Sequence, residues 1–156
     1  MIRDNCRNRL PALYREKIRF SDTDMLGHVN NLAFASFFES ARADILYGSG
    51  KLEVPECFFV LASSTIDFTG ELNFPGEVTV GSAIARIGTS SATFRQAVFQ
   101  NGQCAASSTS SMVQIGGPER KAVPLSEVAR SHLAGLLRLT HDGLANPQAG
   151  ADHDKR

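Results

Sequence analysis

The sequence predicts one α+β domain in which a curled, five-stranded and mostly antiparallel sheet wraps a long central helix. Two observations carry that prediction. Between about Asn31 and Tyr47, apolar residues stand at Leu32, Phe34, Phe37, Phe38, Ala41, Ile45 and Leu46, with alanines in several of the gaps. An apolar band that wide marks a helix largely enclosed by other structure. From Phe58 onward the pattern changes to period two and keeps it through successive segments, as half-buried strands require. A sheet that must cover one long apolar helix curls around it.

Taken in order, Tyr14, Ile18 and Phe20 give a first strand over Leu13–Phe20, interrupted by charge. An Asp-rich turn leads into the helix, which stops at Gly48-Ser49-Gly50, a left-handed cap of the kind glycine permits. Phe58–Phe68 is the second strand. Leu72-Asn73-Phe74-Pro75-Gly76 turns the chain, and Val78, Val80 and Ile84 alternate through the third. After a break at Gly88-Thr89-Ser90-Ser91, Phe94 and Val98 share one face of the fourth. Asn101-Gly102 signals a type I′ hairpin, because both central residues of that turn take positive φ. The returning strand, Cys104–Ile115, is dense in Ala, Ser and Thr, which suits close approach to another surface. The last four strands can run as an antiparallel meander. Pro124 and Ser126 introduce a final helix reaching about Leu139. Thr140–Arg156 has little apolar content and reads as a loose tail, so the single domain covers residues 1–156 with its ordered core at about 13–139.

The chain has 156 residues, 42% of them hydrophobic, enough for one ordinary core. Sixteen basic and 16 acidic residues cancel, which argues against the broad basic face that nucleic acid demands. Cys6, Cys57 and Cys104 are dispersed and follow neither a C-x-x-C nor a Cys/His spacing. Reduced thiols in the cytoplasm are expected rather than a disulfide framework. No metal-ligand spacing occurs, no apolar segment of signal-peptide type follows the N-terminus, and no run has the length of a membrane span.

The chemistry-bearing stretch is Asp22-Thr23-Asp24-Met25-Leu26-Gly27-His28-Val29-Asn30-Asn31, at the entrance of the long helix. The first N–H groups of a helix have no intrahelical partner, and together with the helix dipole they favour negative charge nearby. A thioester carbonyl develops such a charge when attacked. A carboxylate beside an aimed N–H is therefore a minimal acyl-transfer site. Asp residues before helices also serve as caps and turn formers, and Gly27 can simply relax a tight turn. Composition and spacing leave both readings open.

The segment Phe20–Arg42, FSDTDMLGHVNNLAFASFFESAR, resembles the signature of the 4-hydroxybenzoyl-CoA thioesterase-like hotdog family. That signature is D-x-D-x-x-G-H-V-N-N followed by an aromatic helix ending in E-x-A-R. Ile87-Gly88-Thr89-Ser90-Ser91 is similar to the family's I-G-x-S-S turn, and Asp67-Phe68, Pro75-Gly76-Glu77-Val78 and Ala122-Val123-Pro124 follow in the family's order.

The resemblance implies a hotdog fold and hydrolysis of an acyl-CoA or acyl-carrier-protein thioester. It implies Asp24 as the catalytic carboxylate, either nucleophile or general base for water. The helix-start N–H near Asn31 would polarise the carbonyl, and Gly27 would admit the substrate close to the backbone. His28 either hydrogen-bonds Asp24 and orients water or only steadies the turn. Asn30 either reaches substrate or satisfies the loop. Gly88, Thr89, Ser90 and Ser91 are expected near the pantetheine arm and phosphates, with an ordinary strand turn as the alternative. Asp22 is expected to serve the turn, and Glu39 and Arg42 to form an ion pair. The resemblance further implies a homodimer, often paired into a homotetramer, with active sites between subunits, and no cofactor beyond the coenzyme A of the substrate. The competing reading is a hotdog that binds acyl-CoA without hydrolysing it, as a sensor or assembly subunit.

Overall fold

The structure, a computed structural model, describes residues 9–50 and 52–138. The expected tail at 140–156 and the far end of the last helix at Leu139 lie outside the described residues. In chain order the elements are β1 (Ala12–Lys17), a 3-10 turn (Phe20–Asp22), α1 (Asn31–Tyr47), β2 (Cys57–Phe68), β3 (Glu77–Ile87), β4 (Ser91–Gln100), β5 (Gln103–Gly116), β6 (Lys121–Ala122) and α2 (Glu127–Gly135).

The strands form one sheet in the order β1-β3-β4-β5-β2, with β6 paired to β5 and every strand pair antiparallel. This is the hotdog arrangement, with two differences from the expected sheet. A sixth, two-residue strand is added after the Gly117 turn, where Gly117 takes φ 70° and Arg120 φ 52°. The meander also holds only for β3, β4 and β5, because β2 pairs with β5 at the far edge rather than with β3. The cause is the connection 69–76, which is no tight turn. Its Leu72 is fully buried, and the Leu72 carbonyl accepts from Val29 N–H at 2.9 Å. That holds the connection across the end of the sheet beneath the helix entrance.

Helix α1 begins at Asn30, whose Oδ1 accepts from Leu32 N–H at 2.9 Å. Phe34, Phe37, Phe38, Ala41, Ile45 and Leu46 are buried, and the helix packs on β1, β3 and β4. Full burial of each such Phe or Leu side chain stabilises by roughly 1.5–3 kcal/mol. The opposite flank is open, with Leu32 79% exposed, so within one chain the helix is covered on one side rather than most. Gly48 stays helical at φ −60°, and the left-handed position falls two residues later, at Gly50, with φ 65°. Asn101 and Gly102 take φ 50° and 76°, as a type I′ turn requires.

Arg42 does not pair with Glu39. It turns inward, 4% exposed, and its Nη1 donates to Gln96 Oε1 at 2.9 Å and to Ser110 Oγ at 3.2 Å. The same helical face that buries Phe38 and Ala41 carries Arg42 against the sheet, while Glu39 points to solvent. Helix α2 is capped by Ser126, which accepts from Ala129 N–H at 3.1 Å, and ends at Gly135. The chain then joins the β3 edge past the end of β1, where Ile84 N–H donates to Leu136 O and Arg138 N–H to Ile84 O, both at 2.9 Å. No helix among the described residues is long and apolar enough to cross a membrane.

Candidate active site

The loop between β1 and α1 is a short hairpin rather than loose chain. Thr23 and Val29 form an antiparallel bridge, Asp24 N–H donates to His28 O at 2.8 Å, and Asn30 N–H donates to Asp22 O at 2.7 Å. At its tip Gly27 N–H closes a turn on Asp24 O at 3.1 Å, with Gly27 at φ 82°. That backbone region favours glycine.

Within this frame the two aspartates divide. Asp22 Oδ2 accepts from Arg19 N–H at 2.7 Å, which fastens the 3-10 turn. Asp24 Oδ1 accepts from Leu26 N–H at 2.8 Å, an Asx turn that fixes the carboxylate's direction. Its Oδ2 has no hydrogen-bond partner among the described residues, and the residue is half-buried.

The helix start shows a similar division. Leu32 N–H is taken by the Asn30 side chain and Ala33 N–H by the Asn30 carbonyl at 2.9 Å. The Asn31 N–H has no acceptor among the described residues. Asn30 thus satisfies the loop and leaves one donor free, at the positive end of a 17-residue helix.

His28 faces elsewhere. Its Nε2 lies 3.3 Å from Glu71 Oε2, and its backbone bridges Asn73. Glu71 has no signal in the sequence, since it lies far along the chain in a connection that no motif marks. Around the hairpin the surface is apolar. Phe20 packs edge-on against Phe74 at 5.8 Å between centroids, and Met25 and Leu26 are 97% and 73% exposed.

The Gly88–Ser91 turn is not brought to this loop. It closes the β3–β4 hairpin through Gly88 N–H to Ser91 O at 2.7 Å. Ile18 N–H donates to Gly76 O beside the start of β3, whereas Gly88 follows its end. The 11 residues of β3 lie between the two sites, a strand length of about 35 Å if fully extended. The turn's carbonyls are engaged: Arg130 Nη2 donates to Gly88 O at 2.8 Å and to Thr89 O at 3.2 Å. Leu125 N–H donates to Thr89 O and Gln114 N–H to Ser90 O. Arg130 is a residue that sequence reasoning misses, because nothing in its spacing ties α2 to this turn. Arg86, beside the turn, is exposed.

No curated protein matches the chain's sequence. Among solved structures, a protein from Pseudomonas aeruginosa superposes with a TM-score of 0.78 at 28% identity, covering 84% of this chain and 94% of its own. A predicted thioesterase from Bacillus stearothermophilus gives 0.71 at 25% identity, with 83% and 99% covered. A 1,4-dihydroxy-2-naphthoyl-CoA thioesterase from Synechocystis gives 0.70 at 21% identity, with 80% and 96% covered, and so supports the fold alone. The profile of the thioesterase-like superfamily matches residues 18–133, from the residue after β1 to the last buried leucine of α2, and the chain belongs to that superfamily.

Proposed function

We propose that the protein hydrolyses an acyl-CoA-type thioester, with Asp24 as the catalytic carboxylate and the Asn31 N–H as the donor to the carbonyl oxygen. One observation carries this: among the described residues, the hairpin and the helix start it feeds present a carboxylate oxygen without a partner and an N–H without an acceptor. In the general-base route, Asp24 takes a proton from water as the water oxygen bonds to the carbonyl carbon. Negative charge collects on the carbonyl oxygen against the Asn31 N–H. Collapse breaks the C–S bond and expels the thiolate, and the proton held by Asp24 passes on as thiol and acid leave. In the nucleophilic route the carboxylate oxygen adds first, the C–S bond breaks to release the thiolate, and water cleaves the resulting anhydride to return the carboxylate and the free acid. His28 holds the hairpin to the 69–76 connection through Glu71 and has no direct role in either route.

The placement of Gly88–Ser91 at the opposite end of β3 from the Asp24 hairpin gives the proposal its quaternary part. If that turn contacts the coenzyme A arm, it does so at the Asp24 of a second copy, paired through the open β2 edge and the uncovered flank of α1. Asp24→Asn keeps the loop's shape and removes the charge. It should lower hydrolysis by about 10²-fold or more across a panel of acyl- and aroyl-CoA thioesters followed by thiol release. Equal rates in the two proteins would remove Asp24 from the mechanism. Binding of acyl-CoA by wild type without turnover would replace hydrolysis with a sensing role.

A further inference from the structure

The inner face of the sheet beside α1 carries a polar band between two apolar stretches. Helix α1 packs chiefly on β1, β3 and β4, and along β2 the side chains of Leu61, Ser64 and Phe68 stay exposed. Along that strand, Phe68 meets Phe34 edge-on at 5.2 Å near the helix start, and Phe59 meets Tyr47 at 6.2 Å near its end. Between them stands Ser64, exposed, whose Oγ lies 3.0 Å from Ser110 Oγ. Ser110 lies 3.2 Å from Ser108 Oγ and accepts from Arg42 Nη1.

The direction of the protons in this network can be worked out. Arg42 only donates, so Ser110 has one hydrogen to give, either to Ser64 or to Ser108. Ser108 is 4% exposed, and among the described residues its side chain bonds with Ser110 alone. If Ser110 donated to Ser108, the Ser108 hydroxyl proton would be buried without an acceptor, which costs about 1–3 kcal/mol. The opposite order, Ser108 to Ser110 to Ser64, gives the Ser108 proton an acceptor. Gln96 agrees with it: Oε1 accepts from Arg42, and Nε2 donates to Ser82 Oγ at 3.0 Å and Phe38 O at 3.1 Å. Ser64 therefore accepts from behind and turns its own O–H toward the open groove.

Arg42 supplies the second observation. Its buried Nε has no partner, and no carboxylate lies within ion-pair distance among the described residues. Burial lowers its pKa, with Glu39 opposing that from a distance. A guanidinium stays charged all the same, so this stretch of groove carries a positive field without a protein counter-ion. The network touches the Phe38 carbonyl, seven residues into the helix from Asn31, about 10 Å along its axis.

We propose that this band is a specificity site: the acyl group that leaves the Asn31 amide passes the Phe34–Phe68 lip and ends in an acceptor oxygen, a carboxylate or hydroxyl, received by Ser64. Arg42 acts through Ser110 as a positioning residue. This rests on the hydrolase reading above. The test pairs octanoyl-CoA with its ω-carboxy counterpart, and benzoyl-CoA with hydroxybenzoyl-CoA. Wild type should favour the oxygen-bearing member of at least one pair by about tenfold or more in kcat/KM, the scale of one hydrogen bond with charge behind it. Ser64→Ala should collapse that ratio toward unity, and Ser64→Thr, which keeps the hydroxyl, should retain it. Parity or an apolar preference in wild type overturns the proposal while leaving hydrolysis standing, as does a ratio unmoved by Ser64→Ala. No turnover of any of the four thioesters defeats the hydrolase reading and this inference with it.

Discussion

Gly27 and Arg42 are the two residues whose local chemistry is least replaceable. At Gly27 a Cβ would meet nothing within 4 Å, so the barrier to substitution is the backbone angle of φ 82° alone. Gly27→Ala should cost about 1–2 kcal/mol of stability, read as a lowered denaturant midpoint. It should also lower thiol release by loosening the turn that aims Asp24. At Arg42 the cost lies in what is left behind. Arg42→Met strands Gln96 Oε1 under the helix and takes one donor from Ser110, and should destabilise by about 2–4 kcal/mol in urea denaturation. The roles of these residues were unequally legible. Resemblance to the D-x-D-x-x-G-H-V-N-N signature singled out Asp24, and it left Asn30 between substrate and loop. The inward turn of Arg42 was hidden because i,i+3 spacing to Glu39 reads as a surface pair until the helix is rotated against a particular sheet. Glu71 was hidden because contacts between distant segments leave no local pattern.

Among the elements, α1 was read from about Asn31 to Tyr47, the span the structure shows, since a wide apolar band ends where glycines begin. Strand extents were likewise close, because period two persists wherever one face is buried. Strand order was not legible. Alternation says which face a strand buries but not which neighbour it bonds, and only the buried Leu72 crossing sends β2 to the far edge. The final helix ends early because Leu136 and Arg138 are recruited to Ile84. Ser126→Ala should therefore loosen a short helix with little reserve, costing about 1 kcal/mol in a thermal or urea melt. α2 also holds the Gly88–Ser91 turn through Arg130, so hydrogen exchange should rise there too in that variant.

For the molecule as a whole, the separation between the Asp24 hairpin and the Gly88–Ser91 turn makes the proposed pairing testable by mixing. Asp24→Asn and Thr89→Asp proteins should each be weak alone. Unfolded and refolded together, they should regain activity, because a mixed dimer holds one site with both an intact carboxylate and an intact turn. No recovery would place both features in one chain's site or remove the turn from function. Sedimentation should show wild type above monomer mass.

The placement of β2 also bears on the order in which the protein assembles itself. The β3–β4–β5 ribbon closes through short turns, one of them the Asn101–Gly102 hairpin, and its contacts are near in sequence. β2 must wait for β5, pairing Cys57 with Gly116 and Phe68 with Ala106 across the whole intervening chain. Long loops close slowly and late, so β2 is the strand expected to settle last and open first. Its amides should then exchange ahead of those of β3 and β4 at low protein concentration, and fall into step with them as concentration rises and copies meet along that edge. Each subunit would finish folding in the act of finding its partner.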